Sequence, residues 1–388
     1  MKAVEIKKNI YWVGTIDWDL REFHGYLTQR GTTYNAYLIV DEKIVLVDTT
    51  RNYLTKEMLL RISSIIDPSK IDYIISNHSE MDHSGALPEM MKVCKNATLL
   101  CSPNGEKNLK RHFDARDWNI KIVDNTTKIN IGRRELNFVL TQMVHWPDSM
   151  ATYIPQDKLL LPNDAFGQHI ASHERYADEI GFDVVFEEAK KYYANIVMPY
   201  ASSVNNALNQ IDKLDIEMIA PSHGLIWRNE VSRILDGYKK WDSDQTLNKA
   251  VIIYDTMWGS TKLIAKAIYE AFDDKNVTVL LRCLKTDHIS DIMKDIIDAK
   301  YICIGSPTLN GTTLPSVAAF LCYMKGLRPK KRVGLSFGSF GWAGQSTKEI
   351  DEIFKVLDFE IWDSIKIEYV PQELFLEKIA QDIKNKLI

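Results

Sequence analysis

The chain is 388 residues long, which is more than one hydrophobic core usually spans and predicts two domains. Its residues are 45% hydrophobic and 26% charged, as in ordinary soluble globular proteins, and the formal net charge of -4 gives no electrostatic basis for binding nucleic acid or an anionic membrane. No apolar run is long enough to span a bilayer, and the first residues mix charges too closely for a signal peptide. We therefore expect a cytoplasmic protein with neither a membrane nor a nucleic-acid partner.

The first part of the chain, predicted as one domain over 1–248, mixes short strands with helices. β-Rich runs cover 33–40 and 43–48, with a tight hairpin expected between them. Helical spacing follows over 56–66, and further strands and helices continue to residue 220. Mixed strands with flanking helices predict an α/β sandwich for this domain.

The second part, predicted as a domain over 249–388, has a more regular pattern. Strands alternate with helices, and the predicted strands are 250–254, 277–281, 301–304, 332–337 and 365–369. Five strands with intervening helices in about 140 residues predict a doubly wound parallel sheet that binds a ligand at its switch point.

The cysteines lie mostly in apolar surroundings, and no two of them form a C-x-x-C pair; they are Cys94, Cys101, Cys283, Cys303 and Cys322. Buried thiols in a reducing compartment account for this pattern. The spacing excludes a thiolate iron site of the rubredoxin kind within this chain. Electrons for a redox reaction would therefore have to come from another molecule.

A dense set of metal-capable side chains follows the apolar run at 71–75. Four of them fall in the pattern His-x-Glu-x-Asp-His, as His78, Glu80, Asp82 and His83. Imidazoles and carboxylates at such spacing are compatible when they surround a shared cation. Later predicted strands end at three further candidate ligands, which are His145, Asp164 and His223. Seven ligands suit two ions with a bridging carboxylate, for which Asp164 is the candidate; the alternative is a polar loop with solvated histidines.

A second constellation begins where the strand at 250–254 runs into a hydroxyl-rich turn before a helix. Hydroxyls and backbone N–H groups at a helix N-terminus bind phosphate. The turn has neither a glycine triplet nor a Walker lysine, which favours a mononucleotide over NAD or ATP. Trp258, Phe340 and Trp342 are candidates to flank a flat ring, or are ordinary core residues.

This Thr-x-x-Gly-Ser-Thr turn resembles the phosphate loop of flavodoxins, and two later loops match the same resemblance. The resemblance implies FMN as the cofactor. The cofactor-binding candidates are Thr256, Met257, Trp258, Gly259, Ser260, Thr261, Pro307, Thr308, Leu309, Asn310, Gly311, Thr312, Ser339, Phe340, Gly341, Trp342 and Ala343.

The histidine-rich set resembles the metallo-β-lactamase superfamily, whose loop is usually His-x-His-x-Asp-His. Here Glu80 replaces the second histidine, and a carboxylate at that position favours iron over zinc. With the flavodoxin-like part downstream, the whole chain resembles the flavodiiron proteins. The implied fold is a metallo-β-lactamase-like αββα sandwich followed by a flavodoxin-like doubly wound sheet of five parallel strands.

The family pattern implies a ligand assignment for two irons. One iron takes His78, Glu80 and His145, the other takes Asp82, His83 and His223, and Asp164 bridges them. His24 and Tyr193 match pocket residues close to the irons, where they would donate protons or hydrogen bonds. His169 either orients a ligand or is unrelated to the site.

The resemblance implies an oxidoreductase that reduces dioxygen to water, nitric oxide to nitrous oxide, or both, with two irons and FMN. The implied electron donor is rubredoxin or a similar small protein, with a deazaflavin donor as an alternative. The implied assembly is a head-to-tail homodimer or a dimer of dimers. Two other readings remain open: a dinuclear zinc hydrolase fused to a flavodoxin domain, and a flavin/di-iron redox sensor.

Overall fold

The computed structural model describes residues 1–243 and 245–387, so residues 244 and 388, which the two predicted domains include, lie outside the described residues. Backbone contacts divide the chain into two compact units. The first unit comprises Met1–His24, Thr28–Tyr193 and Tyr200–Asp242, and the second comprises Gly25–Leu27, Ala194–Pro199 and the chain from Ser243 onward. The boundary between residues 248 and 249 stays a prediction.

Strands up to residue 220 are β1 (Val4–Lys7), β2 (Ile10–Trp12), β3 (Thr15–Asp17), β4 (Glu22–Phe23), β5 (Tyr26–Leu27), β6 (Thr32–Tyr34), β7 (Tyr37–Val40), β8 (Ile44–Val47), β9 (Tyr73–Ser76), β10 (Thr98–Cys101), β11 (Ile120–Ile122), β12 (Lys128–Asn130), β13 (Glu135–Leu140), β14 (Met150–Ile154), β15 (Leu159–Leu161) and β16 (Met218–Ile219). The helices of this part are α1 (Thr55–Ser63), α2 (Met81–Ser84), α3 (Leu87–Val93), α4 (Pro103–His112), α5 (Ala177–Ile180), α6 (Phe182–Tyr192), α7 (Ala201–Ile211) and α8 (Val231–Asp242). A π-helical segment, Tyr193–Val197, follows α6.

Two sheets form the frame of the first unit. One has the order β1-β2-β7-β8-β9-β10-β11, and the other has the order β12-β13-β14-β15-β16. The hairpin expected near residue 42 is confirmed, because β7 and β8 pair antiparallel up to Val40 and Ile44.

Alternation along the strands explains how the layers stack. In β8, Val45 and Val47 pack with Phe138 and Leu159 of the second sheet, whereas Leu46 packs with Met58 of α1 on the other face. Side chains with period two thus bury both faces of the first sheet. With α7 packed on β13 outside the second sheet, the layers are helix, sheet, sheet and helix. The predicted αββα sandwich is confirmed.

The second unit alternates strands and helices in a regular way. Its elements are β17 (Leu247–Tyr254), α9 (Ser260–Asp273), β18 (Thr278–Cys283), α10 (Ile289–Ile296), β19 (Ala299–Gly305), α11 (Pro315–Leu327), β20 (Val333–Phe340), α12 (Ser346–Val356), β21 (Glu360–Glu368) and α13 (Glu373–Lys386). The sheet order is β18-β17-β19-β20-β21, and every pair is parallel.

This order confirms the predicted doubly wound sheet. From β17 the chain passes to β18 on one side and then to β19 on the other, so the connections diverge between β17 and β19. A crevice therefore opens beyond the carboxyl ends of these strands, where such folds bind ligands. Across both described parts, each helix is too short or too polar to cross a bilayer.

Candidate metal centre and flavin site

The strand directions bring the metal-capable residues of the first unit to one edge. β14 is antiparallel to both β13 and β15, and β15 is parallel to β16, so β13, β15 and β16 end at the same edge. His145, Asp164 and His223 follow these three strand ends. The His-x-Glu-x-Asp-His loop follows β9 in the other sheet and continues into the short helix α2.

The buried carboxylate of Asp48 connects the loop that carries His78 with the loop that carries Asp164. Asp48 accepts hydrogen bonds from the backbone N–H of Asn77 at 2.8 Å, from its side-chain amide at 3.0 Å, and from the amide of Asn163 at 3.2 Å. Asn77 directly precedes His78, and Asn163 directly precedes Asp164. Burial raises the pKa of Asp48, although these hydrogen bonds oppose the rise. One side chain thus sets the spacing between two ligand-bearing loops.

The seven candidate ligands form two groups, and within each group the ligand atoms lie within 4.8 Å of one another. The groups are His78, Glu80, His145 and Asp164, and Asp82, His83 and His223. In the second group Asp82 Oδ1 is buried and has no hydrogen-bond partner among the residues that the structure describes. Buried polar atoms without partners are expected where an ion binds.

Asp164 faces both groups with different oxygens. Its Oδ1 lies 2.9 Å from His83 Nε2 and 3.3 Å from His223 Nε2. Its Oδ2 lies 3.2 Å from His145 Nε2 and 3.7 Å from His78 Nε2. A carboxylate placed in this way is suited to bridge two cations. Besides Asp164, each group contributes three carboxylate or imidazole donors and no thiolate. This donor set fits a pair of iron or zinc ions.

The electrostatics of the cluster favour cation binding. Burial disfavours a charged imidazole, but hydrogen bonds to carboxylates more than offset it and raise the pKa of His145 to about 9 and of His223 to about 10. Burial alone would raise the pKa of Glu80, but its imidazole neighbours lower it well below its ordinary value. Protons on His145 and His223 therefore offset carboxylate charge when no metal is bound, and binding of a cation must release them.

Outer hydrogen bonds orient two of the imidazoles. His223 Nδ1 donates to the backbone oxygen of Thr33 at 2.8 Å, which leaves Nε2 as the ligand atom. His78 Nδ1 lies 3.2 Å from the carboxylate of Asp148, which also accepts the backbone N–H of Ser79 at 2.7 Å. Carbonyls and carboxylates in this position fix the tautomer and the ring orientation of a metal-binding histidine.

The loop that carries His223 is clamped on both sides. Asn35 accepts a hydrogen bond from Trp12 Nε1 at 2.7 Å and donates to the carbonyl oxygens of Pro221 at 2.8 Å and Gly224 at 3.0 Å. Gly224 has φ +75°, and a Cβ there would lie 1.5 Å from Oε1 of Gln168. Only glycine fits this turn. The sequence alone offers no signal that Asn35 and Gln168 support this loop.

His24 lies where the sequence places it, beside the ligands. Its Nε2 is 3.1 Å from Glu80 Oε1, and 63% of its side chain is exposed. The hydrogen bond to Glu80 raises the pKa of His24, against burial. His24 can therefore carry a proton between solvent and a ligand carboxylate.

Of the neighbouring Tyr192 and Tyr193, it is Tyr192 whose ring lies near that of the candidate ligand His223. Tyr193 packs against Tyr238, and its hydroxyl lies 3.4 Å from the carboxylate of Asp242. Tyr192 instead has its ring 6.1 Å from that of His223, and burial together with neighbouring carboxylates raises its pKa well above the ordinary value. The buried face of α6 contains Val185, Ala189 and Tyr192 at positions i, i+4 and i+7. This helical period is the sequence signal that could have identified Tyr192 as the inward-facing tyrosine.

His169 lies beside the candidate ligand His223, which favours the expectation that it orients a ligand, and its role stays a prediction. Its ring is 4.9 Å from that of His223 and 5.2 Å from that of Tyr192. Its Nδ1 is 2.8 Å from Thr32 Oγ1. The ring packs on a ligand histidine, which limits the rotation of that ligand.

The second unit has a cavity of about 770 Å³ beyond β17, β19 and β20. It is lined by Thr256, Met257, Trp258, Ser260, Pro307, Thr308, Leu309, Asn310, Gly311, Ser339, Phe340, Gly341, Trp342, Ala343, Tyr369 and Val370. The sequence missed Tyr369 and Val370, which follow β21. Trp258 and Trp342 are 95% and 92% exposed, so they stand at the rim of the cavity rather than in the core.

Three predicted cofactor residues do not line the cavity but support its loops. Gly259 has φ +95° just before α9, and its N–H donates to Thr256 Oγ1 at 3.0 Å. Thr261 Oγ1 lies 3.3 Å from Ser339 Oγ, and Thr312 donates to the carboxylate of Glu349 at 2.7 Å. The size of the cavity, with a helix N-terminus at one end and aromatic rings at the rim, fits a flavin mononucleotide.

Comparisons with known proteins agree with both parts. Residues 32–224 match the family model described as ODP family beta lactamase, and residues 252–381 match the flavodoxin model. The chain is 45% identical over 364 residues to the nitric oxide reductase of Moorella thermoacetica, covering 93% of this chain and 91% of that protein.

Solved structures also match along nearly the whole chain, among them the following two. The rubredoxin oxygen:oxidoreductase of Desulfovibrio gigas has a TM-score of 0.96 and 40% identity, covering 100% of this chain and 98% of that chain. The flavodiiron protein of Giardia intestinalis has a TM-score of 0.97 and 32% identity, covering 99% of this chain and 96% of that chain. Fold and site together define a metallo-β-lactamase-like domain joined to a flavodoxin domain. The chain belongs to the flavodiiron protein family.

Proposed function

We propose that this protein is an oxidoreductase that reduces dioxygen to water, nitric oxide to nitrous oxide, or both, with two irons in the first unit and FMN in the second. The observation that carries the proposal is the place of Glu80 in one ligand group with Asp164, in a chain that also has a flavin-sized cavity. A hydrolase of this fold would be expected to have histidine at that position. A carboxylate favours iron, and a flavin bound in the second unit would provide the electrons that iron chemistry needs.

The seven ligands divide between the two irons as the family pattern implies. His78, Glu80 and His145 would hold one iron, and Asp82, His83 and His223 would hold the other. Asp164 would bridge them, since each of its oxygens faces one group. When bound, two ferrous ions and one reduced flavin supply four electrons, which is the number that takes O2 to water.

The residues around the ligands supply protons and exclude water. His24 donates its Nε2 proton to Glu80 and is exposed enough to recover a proton from solvent. Phe23 and Tyr34 cover His223, with ring centroids 6.4 and 5.7 Å from it. Tyr192 replaces Tyr193 as our candidate for a hydrogen-bond donor near the irons, and the role of Tyr193 stays a prediction.

In the second unit, the loops around the cavity would hold FMN. The turn over 256–261 offers hydroxyls and N–H groups at the start of α9, which suit a phosphate. The loops after β19 and β20 provide apolar and backbone contacts for the ring system. Trp258 and Trp342 at the rim would shield one edge of the flavin.

We further infer that electrons reach FMN from rubredoxin or a similar small donor, with a deazaflavin as the alternative. The name of the Desulfovibrio gigas relative supports a rubredoxin. The exposed tryptophans at the cavity rim support a protein partner there, because such apolar surface is usually covered by a binding partner. We propose a cytoplasmic location, a head-to-tail homodimer or dimer of dimers, and a domain boundary at residues 248–249.

Consumption of each gas by the protein loaded with iron and FMN and reduced through rubredoxin tests this proposal. Gas electrodes should record sustained uptake of O2, NO or both. Zinc-loaded protein that still contains FMN is the matched control: it should consume no NO, and any O2 that its reduced flavin takes up should be recovered as H2O2. Uptake by neither form, with zinc-dependent ester or amide hydrolysis, would identify a hydrolase instead. Tight binding of both cofactors with negligible turnover would identify a sensor.

A further inference from the structure

A buried negative charge adjoins the turn that would bind the flavin phosphate. Asp255 directly follows β17 and is 5% exposed. Its Oδ1 accepts the backbone N–H of Thr256 at 2.6 Å, and its Oδ2 accepts the hydroxyl of Ser316. These bonds shape the first residue of the turn, but they also place a carboxylate beside the binding region of a phosphate dianion. A carboxylate next to a bound phosphate opposes its binding by charge repulsion.

The turn itself has no cation to offset this carboxylate, because its sequence is Thr-Met-Trp-Gly-Ser-Thr. Lys285 supplies one from the segment that follows the neighbouring strand, β18. β17 and β18 pair in parallel with Tyr254 opposite Cys283, so the segments after the two strands leave the sheet side by side. The backbone N–H of Leu284 donates to the oxygen of Tyr254 at 2.9 Å, which continues the pairing past the strand end.

Two contacts connect Lys285 to the turn. Its Nζ lies 3.4 Å from Asp255 Oδ1 and also donates to the backbone oxygen of Thr256. The nearby Arg282 is engaged elsewhere, with Asp295 at 2.8 Å and Asp287 at 3.5 Å. Lys285 is thus the cation that both faces Asp255 and holds the carbonyl of the first turn residue.

We propose that Lys285 is a positioning residue for the phosphate of the flavin. It offsets the charge of Asp255 and fixes the peptide after it, so that the hydroxyl and N–H groups of the turn are presented to a phosphate dianion. The inference deepens the proposed function and rests on it, because it takes FMN as the ligand. Lys285 thus affects binding of the phosphate group and leaves recognition of the isoalloxazine ring unchanged.

Affinity for FMN and for riboflavin, which lacks the phosphate, tests this role. Flavin-free protein is titrated with each flavin by fluorescence quenching, at low and at high salt. Lys285→Met should weaken FMN binding about three- to tenfold at low salt, and less at high salt, because the side chain is about half exposed and its charge is screened. Riboflavin affinity should not change. Lys285→Arg should retain most of the FMN affinity, and Lys355→Met, which removes an exposed charge from α12, should change neither.

A double-mutant cycle tests whether the effect passes through Asp255. In an Asp255→Asn background, where no carboxylate needs to be offset, Lys285→Met should cost less than about twofold. An equal loss of FMN and riboflavin affinity would mean that Lys285 only supports the fold and would overturn the inference. The same loss in the presence and absence of the carboxylate would also overturn it. If the wild-type protein bound no FMN, the proposed function itself would fail, whereas normal FMN binding with an unaffected Lys285→Met variant would reject this inference alone.

Discussion

Replacing Asp164 with asparagine should weaken iron binding at the metal centre and leave FMN binding in the second unit unchanged. The substitution keeps the shape of the side chain and removes its charge. In the structure both oxygens are engaged, with imidazole nitrogens at 2.9 and 3.3 Å on one side and at 3.2 and 3.7 Å on the other. The residue is 2% exposed, so water cannot compensate for the loss of its charge.

The magnitude follows from what the charge does in this buried place. Removing one partner from a buried charged network costs about 3–5 kcal/mol. At about 1.4 kcal/mol for each factor of ten, binding of the second iron should weaken roughly 100- to 4,000-fold. Asp148→Asn is a graded comparison, because Asp148 touches the outer nitrogen of one ligand, His78, at 3.2 Å. Its loss should cost only about 10- to 100-fold in metal affinity.

The assay is an anaerobic ferrous titration of metal-free protein against a chromogenic chelator, followed by iron and FMN analysis of the same samples. FMN content is the internal control and should stay at the wild-type level in both variants. Two irons bound at wild-type affinity in Asp164→Asn, with wild-type gas uptake, would refute the bridging role. A larger loss in Asp148→Asn than in Asp164→Asn would refute the ordering that the contacts predict.

Three further outcomes are expected. In the metal-free protein, hydrogen bonds to carboxylates outweigh burial and raise the pKa of His223 to about 10, above its unfolded value of 6.5. The stabilisation that protonated His223 provides is therefore complete below about pH 6.5 and is lost as the pH rises through about 10. Urea midpoints of metal-free protein should fall over that window while iron affinity rises. Gly224→Ala should destabilise the protein by about 2–5 kcal/mol, from left-handed strain and displacement of Gln168, whereas Gly25→Ala, with φ +79° and open space, should cost about 1–2 kcal/mol in the same unfolding assay. Glu80→His should raise the zinc-to-iron ratio of the purified protein and lower gas uptake about tenfold or more, measured by metal analysis and gas electrode.

The metal centre was predictable because its signals are local. Four candidate ligands lie within six positions, and the remaining three each follow a strand end, so topology alone brings them to one edge. The flavin turn was predictable for the same reason, since a strand, a hydroxyl-rich turn and a helix are contiguous in the sequence.

The residues that the sequence missed depend on tertiary packing. Asn35 and Gln168 are buried polar side chains whose partners lie far away in the chain, and no local pattern distinguishes them from loop residues. Tyr192 and Tyr193 are chemically identical neighbours, so only the orientation of α6 decides which one meets the ligands. Tyr369 enters the flavin cavity because β21 lies next to β20, a neighbour relation that the pattern of strands does not specify by itself.

The most direct test of the account is a single-turnover measurement on fully reduced protein without an external donor. Protein holding two ferrous ions and one reduced flavin per chain is mixed with O2 or with NO, and gas uptake, H2O2 and N2O are measured together. The account predicts uptake of about one O2 per chain without H2O2, or formation of N2O from NO, with both cofactors oxidised at the end. Iron-free protein carrying reduced FMN should form H2O2 instead. If the iron-loaded protein releases as much H2O2 as the iron-free form and makes no N2O, the proposed gas reduction at the metal centre is contradicted.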